Sequence, residues 1–292
     1  MSSGWQDLAV VLSFGLGLFT ALLGVAAKYA MDYRLGRRQL ELDERAAITA
    51  ALGNGPGLLR RAAVRLRDRA HGCFRDAEHL DRWLSAGHTP DQDDFFLRTF
   101  VQRVFVFFSA AGVVQSAIDA LPAQTLAARS DLRQLYALIE LAKASLTHLG
   151  LLHGYPGYVV DAEDHHLFIG ALDDLADLGM ADYSSHGSTI PAMAFSEHYD
   201  RGQPTLMRVR AWLSAAAAPG EKTAAVLARL ACLEAVLDAI LTPPTTESAH
   251  FASDAALRER LAAIPLPPGL DYSFPQTMPE RLDQLLPSML RP

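Results

Sequence analysis

A run of twenty residues without a charged side chain, from Leu8 to Ala27, constrains the fold of this chain most. Twenty helical residues rise about 30 Å, which matches the thickness of the hydrocarbon layer of a bilayer. Trp5 precedes the run, and Tyr29 and Tyr33 follow it, as is typical of aromatic side chains at a membrane interface. The sequence therefore predicts a single N-terminal transmembrane helix.

Two alternatives to a retained anchor are a cleaved signal peptide and a buried helix of a soluble core. The residues before the run contain no Lys or Arg, and the run is longer than the apolar core of a typical signal peptide. A helix in a soluble core rarely lacks charged residues over such a length. The retained anchor is therefore favoured over both the cleaved signal peptide and the buried core helix.

Basic residues flank the apolar run on its C-terminal side only. Lys28, Arg34, Arg37 and Arg38 follow it closely, and no Lys or Arg precedes it. The positive-inside rule then places the N-terminus outside and the C-terminal part in the cytoplasm. We therefore expect a single-pass protein of the cytoplasmic (inner) membrane.

Small residues recur along one face of the predicted span, at Ser13, Gly17, Ala21 and Gly24. Such spacing lets two helix backbones approach closely, so that packing drives their association within the bilayer. The alternative is that Gly and Ala are simply common in membrane helices. The pattern is the basis for expecting self-association of the transmembrane helix.

The rest of the chain has helical periodicity, and the predicted fold class is all-α: a transmembrane helix followed by a cytoplasmic multi-helix bundle. The predicted domains are a transmembrane anchor (1–30), a juxtamembrane stalk helix with a Gly/Pro break (31–57), a helical bundle domain (58–264) and a Pro-rich C-terminal strap (265–292). The predicted bundle helices cover residues 58–84, 94–120, 124–149, 164–179, 204–217, 221–241 and 250–263. We expect 94–120 to be a central core helix rather than a second crossing, because Arg98 and Arg103 interrupt it.

The chain is acidic overall, with a net charge of −7, yet residues 28–75 hold eleven basic and only five acidic residues. The acidic total disfavours nucleic acid as a partner. Anionic lipid attracts basic residues close to a membrane, so we expect a membrane with anionic lipid as a partner. The residues predicted to contact lipid headgroups are Arg34, Arg37, Arg38, Arg60, Arg61 and Arg65. The alternative is an Arg-rich face exposed to solvent.

Residues 161–200 hold nine acidic residues and four histidines, with no Lys or Arg. On a helix that begins at residue 164, His166, Asp173 and Asp177 share one face. Imidazole and carboxylate ligands suit zinc, manganese or iron, so these three residues are the candidate ligands of a divalent metal. The alternatives are a solvated face, a helix cap and a surface that binds a partner protein.

No catalytic motif appears: the chain lacks a Walker A sequence, a GxGxxG sequence and a GxSxG sequence. The sequence favours a non-enzymatic, membrane-anchored interaction module (a sensor, scaffold or effector subunit) that acts as a homo-oligomer or with a protein partner, and that needs no cofactor. The high Ala and Arg content points to a bacterium. Two alternatives stay open: a membrane-tethered metal-dependent hydrolase using the Asp/His cluster at 163–200, and a pore-forming membrane effector.

Overall fold

The computed structural model describes residues 28–39, 42–43, 45–75, 90–148, 151, 166–186, 192–215 and 221–241. These residues are helical apart from short turns and connections, and no strand occurs among them, which confirms the all-α prediction. The chain divides into two compact units, Met1–Ala51 and Leu52–Pro292. The predicted transmembrane span, including Ser13, Gly17, Ala21 and Gly24, lies outside the described residues.

The first unit is helical in its described part, which comprises residues 28–39, 42–43 and 45–51. The Thr49 hydroxyl donates a hydrogen bond to the backbone oxygen of Arg45 at 2.8 Å, one turn earlier. Most side chains here are exposed to solvent, including those of Tyr29 and Tyr33. Ile48 is the one buried side chain among these described residues.

The second unit is a bundle of eight helices in its described part. In chain order they are α1 (Gly55–Arg75), α2 (Pro90–Asp119), α3 (Ala123–Ala128), α4 (Ser130–Thr147), α5 (Ile169–His186), α6 (Ala192–Asp200), α7 (Pro204–Ala215) and α8 (Glu221–Leu241). Helix α2 packs most extensively against α1 and α5, while α8 packs mainly against α1 and α4. Helix α1 thus packs extensively against both α2 and α8.

Several helix boundaries differ from the prediction. Helix α1 begins at Gly55 rather than residue 58, because Pro56 is compatible with the first turn of a helix. The predicted helix 124–149 is broken at Arg129, whose φ of −111° and ψ of 87° are not helical. The predicted helix 164–179 begins instead at Ile169 and extends to His186, and α6 was not predicted.

Helix α2 carries most of the aromatic core. Phe100, Phe105, Phe107 and Phe108 are almost completely buried. Among the described residues, Phe95–Asp119 is the one helix long and apolar enough to cross a membrane, and 67% of its most apolar window is buried inside the bundle. This burial agrees with the prediction of a central core helix.

Helices α2 and α5 approach closely because glycines lie where they cross. A methyl group added at Gly112 would lie 3.0 Å from the Ala176 side chain. One added at Gly179 would overlap the Ser109 side chain and lie 3.2 Å from the Ser109 Cα atom. Glycine at these positions therefore sets the distance between the two helices.

Helix α8 is buried on every side over most of its length. Every residue from Ala225 to Leu237 is buried, including Cys232, which is not in a disulfide. The buried residues of α8 are mostly apolar, as expected of a helix packed on all sides, but they include Arg229 and Glu234.

One charged side chain, that of Arg229, is completely buried in α8. Its Nη1 donates to the backbone oxygen of Ser145 at 3.1 Å, and its Nη2 donates to that of His148 at 3.2 Å. The last carbonyls of a helix lack partners within the helix, and a cation there is also favoured by the helix dipole. Arg229 therefore caps the C-terminal end of α4 from inside the core.

We expect acid to destabilise the fold partly through His148. Burial and the nearby charge of Arg229 lower the pKa of His148 below its ordinary value of 6.5. As the pH falls below 6.5, His148 binds a proton more readily in the unfolded chain than in the folded chain, so the free energy of unfolding falls. Urea unfolding near neutral and mildly acidic pH should show a smaller loss in His148→Gln than in the unmodified chain. An identical loss in both would contradict this role of His148.

Candidate functional site

The basic helix α1 separates its side chains into two faces. Leu59, Ala62, Ala63, Leu66 and Ala70 point into the bundle and are buried. Their spacing of three and four residues is that of an amphipathic helix. The opposite face carries Arg60, Arg61 and Arg65, which are exposed and are called the outer arginine face below.

The outer arginine face has no carboxylate partner in the described part of the chain, where no ion pair involves Arg60, Arg61 or Arg65. Two other arginines of α1 lie differently. Arg67 contacts Asp68 at 2.7 Å and Asp238 of α8 at 3.4 Å. Arg69 donates to the Thr99 hydroxyl at 2.6 Å, and its guanidinium lies over the Phe96 ring. Helix α1 thus uses Arg67 and Arg69 within the bundle and leaves three arginines facing outward.

The remaining residues predicted to contact lipid belong to the first unit. Arg34, Arg37 and Arg38 are all exposed on the described helix 28–39. All six predicted arginines are therefore accessible, three in each unit. Accessible guanidinium groups can contact anionic headgroups without first breaking a buried interaction.

The structure separates the three predicted metal ligands. Asp173 lies on α5 and accepts from Lys143 Nζ at 3.1 Å, and Asp177 is exposed one turn later. His166 is buried, with 5% of its surface exposed, and its ring lies edge-on to that of Phe168. The common face predicted for these three residues is therefore not formed.

The reason is that the segment before α5 bonds to α4 rather than extending the helix. The backbone nitrogen of Leu167 donates to the backbone oxygen of Leu146 at 3.0 Å. Residues 166–168 are consequently not helical, and His166 turns into the core. Among the described residues, no three His, Cys, Asp or Glu side chains are grouped so that they could hold a metal ion. The structure therefore gives the metal hypothesis no support.

Lys143 was missed by the sequence analysis, although it organises the polar contacts beside α5. Its Nζ lies 3.2 Å from Glu140 and 3.1 Å from Asp173, and Gln115 of α2 donates to the same Glu140 oxygen at 2.5 Å. Burial alone would lower the pKa of Lys143, but the two carboxylates outweigh it and raise the pKa above its ordinary value. Asp173 thus serves to pair a partly buried lysine.

The acidic segment also links α5 to α6. His198 Nε2 lies 3.2 Å from an Asp182 oxygen, and both side chains are largely buried. On the same side, Arg98 of α2 contacts Asp200 at 2.9 Å and lies over the Tyr199 ring. These pairs join residues that are far apart in the sequence, and they hold α6 against the bundle.

The geometry thus offers a cationic surface on α1 and acidic side chains on α5 and α6 that mostly serve internal contacts. Charged groups of this kind can bind an anionic partner, and the described residues show no arrangement that resembles the candidate metal centre. No protein-family model, no curated protein and no solved structure matches this chain.

Proposed function

We propose that this chain is a non-enzymatic interaction module anchored in the inner membrane. Residues 8–27 cross the bilayer with the N-terminus outside, and the helical bundle lies in the cytoplasm. The observation that carries the proposal is the outer arginine face, which leaves three cations of α1 exposed while the other described contacts of the helix are internal. In this proposal the face contacts anionic lipid.

The energetics support this arrangement. A basic residue close to an anionic leaflet gains roughly 1 kcal/mol, and the attraction decays over a Debye length of about 8–10 Å. Three arginines on one helical face can meet a flat surface together. Arg34, Arg37 and Arg38 follow the proposed span directly and would lie near the same leaflet. The tether supplies proximity, and the outer arginine face orients the bundle.

The proposed span also carries the proposal of self-association. Ser13, Gly17, Ala21 and Gly24 would allow two copies to pack within the bilayer. A bundle oriented on the membrane and paired through the span would present the same surface to a protein partner in each copy. This is the arrangement expected of a sensor, scaffold or effector subunit.

The contact with lipid is tested by energy transfer in nanodiscs. The donor dye is attached to a cysteine introduced at Gly72, which is exposed on α1 with no atom within 4 Å of the new Cβ. Cys73 is replaced by Ala, and the buried Cys232 is left in place. Transfer to a headgroup acceptor should be higher with phosphatidylserine than with pure phosphatidylcholine, and high salt should remove the difference.

Two triple variants, a test variant and a matched control, each remove three positive charges. Replacing Arg60, Arg61 and Arg65 by Gln should abolish the effect of phosphatidylserine. Replacing Arg133, Arg201 and Arg208, which are also exposed, should leave it unchanged. Equal transfer in both lipids would refute the lipid contact. Release of the full chain from native membranes by alkaline carbonate would refute the anchor.

A further inference from the structure

A second helix adds a cation to the outer arginine face. The Nη1 atom of Arg103 on α2 donates a hydrogen bond to the backbone oxygen of Arg65 at 3.0 Å. This bond holds the Arg103 guanidinium against α1, beside the point where the Arg65 side chain leaves the helix. Burial lowers the pKa of the Arg103 guanidinium, and the positive charge of Arg65 lowers it further.

The surrounding carboxylates do not balance this pair. Asp68 attracts Arg103 electrostatically, but its Oδ1 already accepts from Arg67 Nε at 3.1 Å and from Arg67 Nη2 at 2.7 Å. In the ranges that the structure describes, no carboxylate forms an ion pair with Arg65 or Arg103. The Arg103 guanidinium therefore lies beside the backbone of Arg65, whose own exposed side chain extends from the same place on α1.

The chemistry of the pair selects a particular kind of anion. A guanidinium group donates two parallel hydrogen bonds to a phosphate or carboxylate, which makes arginine well suited to phosphate recognition. A singly charged anion balances one of the two cations. A phosphomonoester carries up to two negative charges and presents three terminal oxygens, so it can accept from both side chains at once.

We infer that Arg65 and Arg103 form a binding site for a phosphomonoester group. The inference rests on the proposed function only in that Arg65 belongs to the outer arginine face, because the site itself is formed within the bundle. A lipid headgroup and a soluble phosphorylated molecule offer the same chemistry. Arg103 has a specific role in the site, since it is the one contributor fixed by a backbone contact.

The site is tested with inorganic phosphate and the full chain in phosphatidylcholine nanodiscs. Phosphate binding is followed by the broadening of its ³¹P resonance. Losing one charge-assisted partner should weaken binding about tenfold in Arg103→Gln and in Arg65→Gln. Arg133→Gln removes an equal charge from an exposed position on α4, outside the outer arginine face, and should leave binding almost unchanged. Arg65→Gln also guards against misfolding, because the Arg65 side chain is exposed and makes no hydrogen bond in the described structure.

Two results would overturn the site: the absence of phosphate binding by the unmodified chain, or equal weakening by Arg133→Gln and Arg65→Gln. Neither result bears on the anchor, which is tested separately by carbonate extraction. Conversely, if the anchor proposal is refuted, phosphate binding can still be measured with the same full chain in a neutral detergent. The two proposals can therefore fail independently.

A second experiment distinguishes a lipid headgroup from a soluble molecule as the source of the phosphomonoester. Nanodiscs containing phosphatidic acid, which is a phosphomonoester, are compared with nanodiscs containing phosphatidylserine, a diester, at equal surface charge. Loss of inorganic phosphate binding with phosphatidic acid alone would support the site and assign it to a lipid headgroup. Equal binding in both lipids would support the site and assign it to a soluble phosphorylated molecule.

Discussion

Replacing Arg229 by Met is expected to lower the free energy of unfolding by about 1–3 kcal/mol, because the buried Ser145 carbonyl oxygen loses this donor, while the His148 carbonyl oxygen keeps the backbone nitrogen of Leu151 as a donor. Met retains much of the side-chain volume, so the loss reports on the polar contacts of Arg229, including those with Ser145 and His148. Arg229→Ala should cost more, since it also leaves a cavity. Urea unfolding of the full chain in a neutral detergent, followed by circular dichroism, measures both effects.

A control at the surface separates this effect from a general loss of positive charge. Arg208→Met removes an exposed arginine from α7 and should change the free energy of unfolding by less than about 0.5 kcal/mol. Arg229→Met should also remove the positive charge that depresses the pKa of His148, so the acid sensitivity of the fold should decrease. A cost below about 1 kcal/mol for Arg229→Met would contradict a capping role.

Gly179→Ala is expected to cost about 2–3 kcal/mol, because the added methyl group meets the α2 backbone as well as a side chain. The new Cβ would overlap the Ser109 side chain and lie 3.2 Å from its Cα. The Ser109 Cβ is bonded directly to the helix backbone and cannot rotate out of the way, so the two helices would have to move apart. Urea unfolding measures the loss.

Two further variants test whether the cause is the close approach of the helices. Gly170→Ala lies on the same helix with no atom within 4 Å of the new Cβ, so it should be neutral or slightly stabilising. Ser109→Gly should restore much of the stability lost in Gly179→Ala, which gives a positive coupling in a double-mutant cycle. Additive effects of the two substitutions would show that the clash is not the cause.

The parts of the fold predicted best are those marked by strong local signals. Helix α7 begins at Pro204 and α8 spans Glu221–Leu241, as the sequence predicts. Proline at a helix start and consecutive prolines after Leu241 act within a few residues, so they can be recognised without the tertiary structure.

Boundaries set by tertiary or side-chain contacts were not predictable in this way. The break at Arg129 contains no Gly or Pro; instead the Arg129 guanidinium donates two hydrogen bonds to Asp131 in the first turn of α4. The late start of α5 depends on the bond between Leu167 and Leu146, twenty-one positions apart in the numbering. Helical periodicity indicates which face of a helix is apolar. It does not indicate which distant carbonyl oxygen will accept a hydrogen bond from a given backbone nitrogen.

The candidate site likewise has a part that local signals predict and a part that depends on contacts between helices. The exposed arginines on α1 were predictable, because helical periodicity separates them from Leu59 and Leu66. The role of Arg103 was not predictable, since its contact with Arg65 joins two helices and in the sequence Arg103 only interrupts an apolar helix. The pairing of Lys143 with Asp173 was not predictable for the same reason, and Asp173 was grouped with His166 on a helix that starts later than predicted.

The burial of α8 on all sides has a consequence for biosynthesis. Helix α1 is complete at Arg75, but its partner α8 is complete only at Leu241, so translation at about 5–20 residues per second separates them by roughly ten to thirty seconds. Throughout that interval the apolar surface of α1 that packs against α8 lacks its native partner. Temporary shielding of that surface by a chaperone is therefore expected to raise the yield of folded protein.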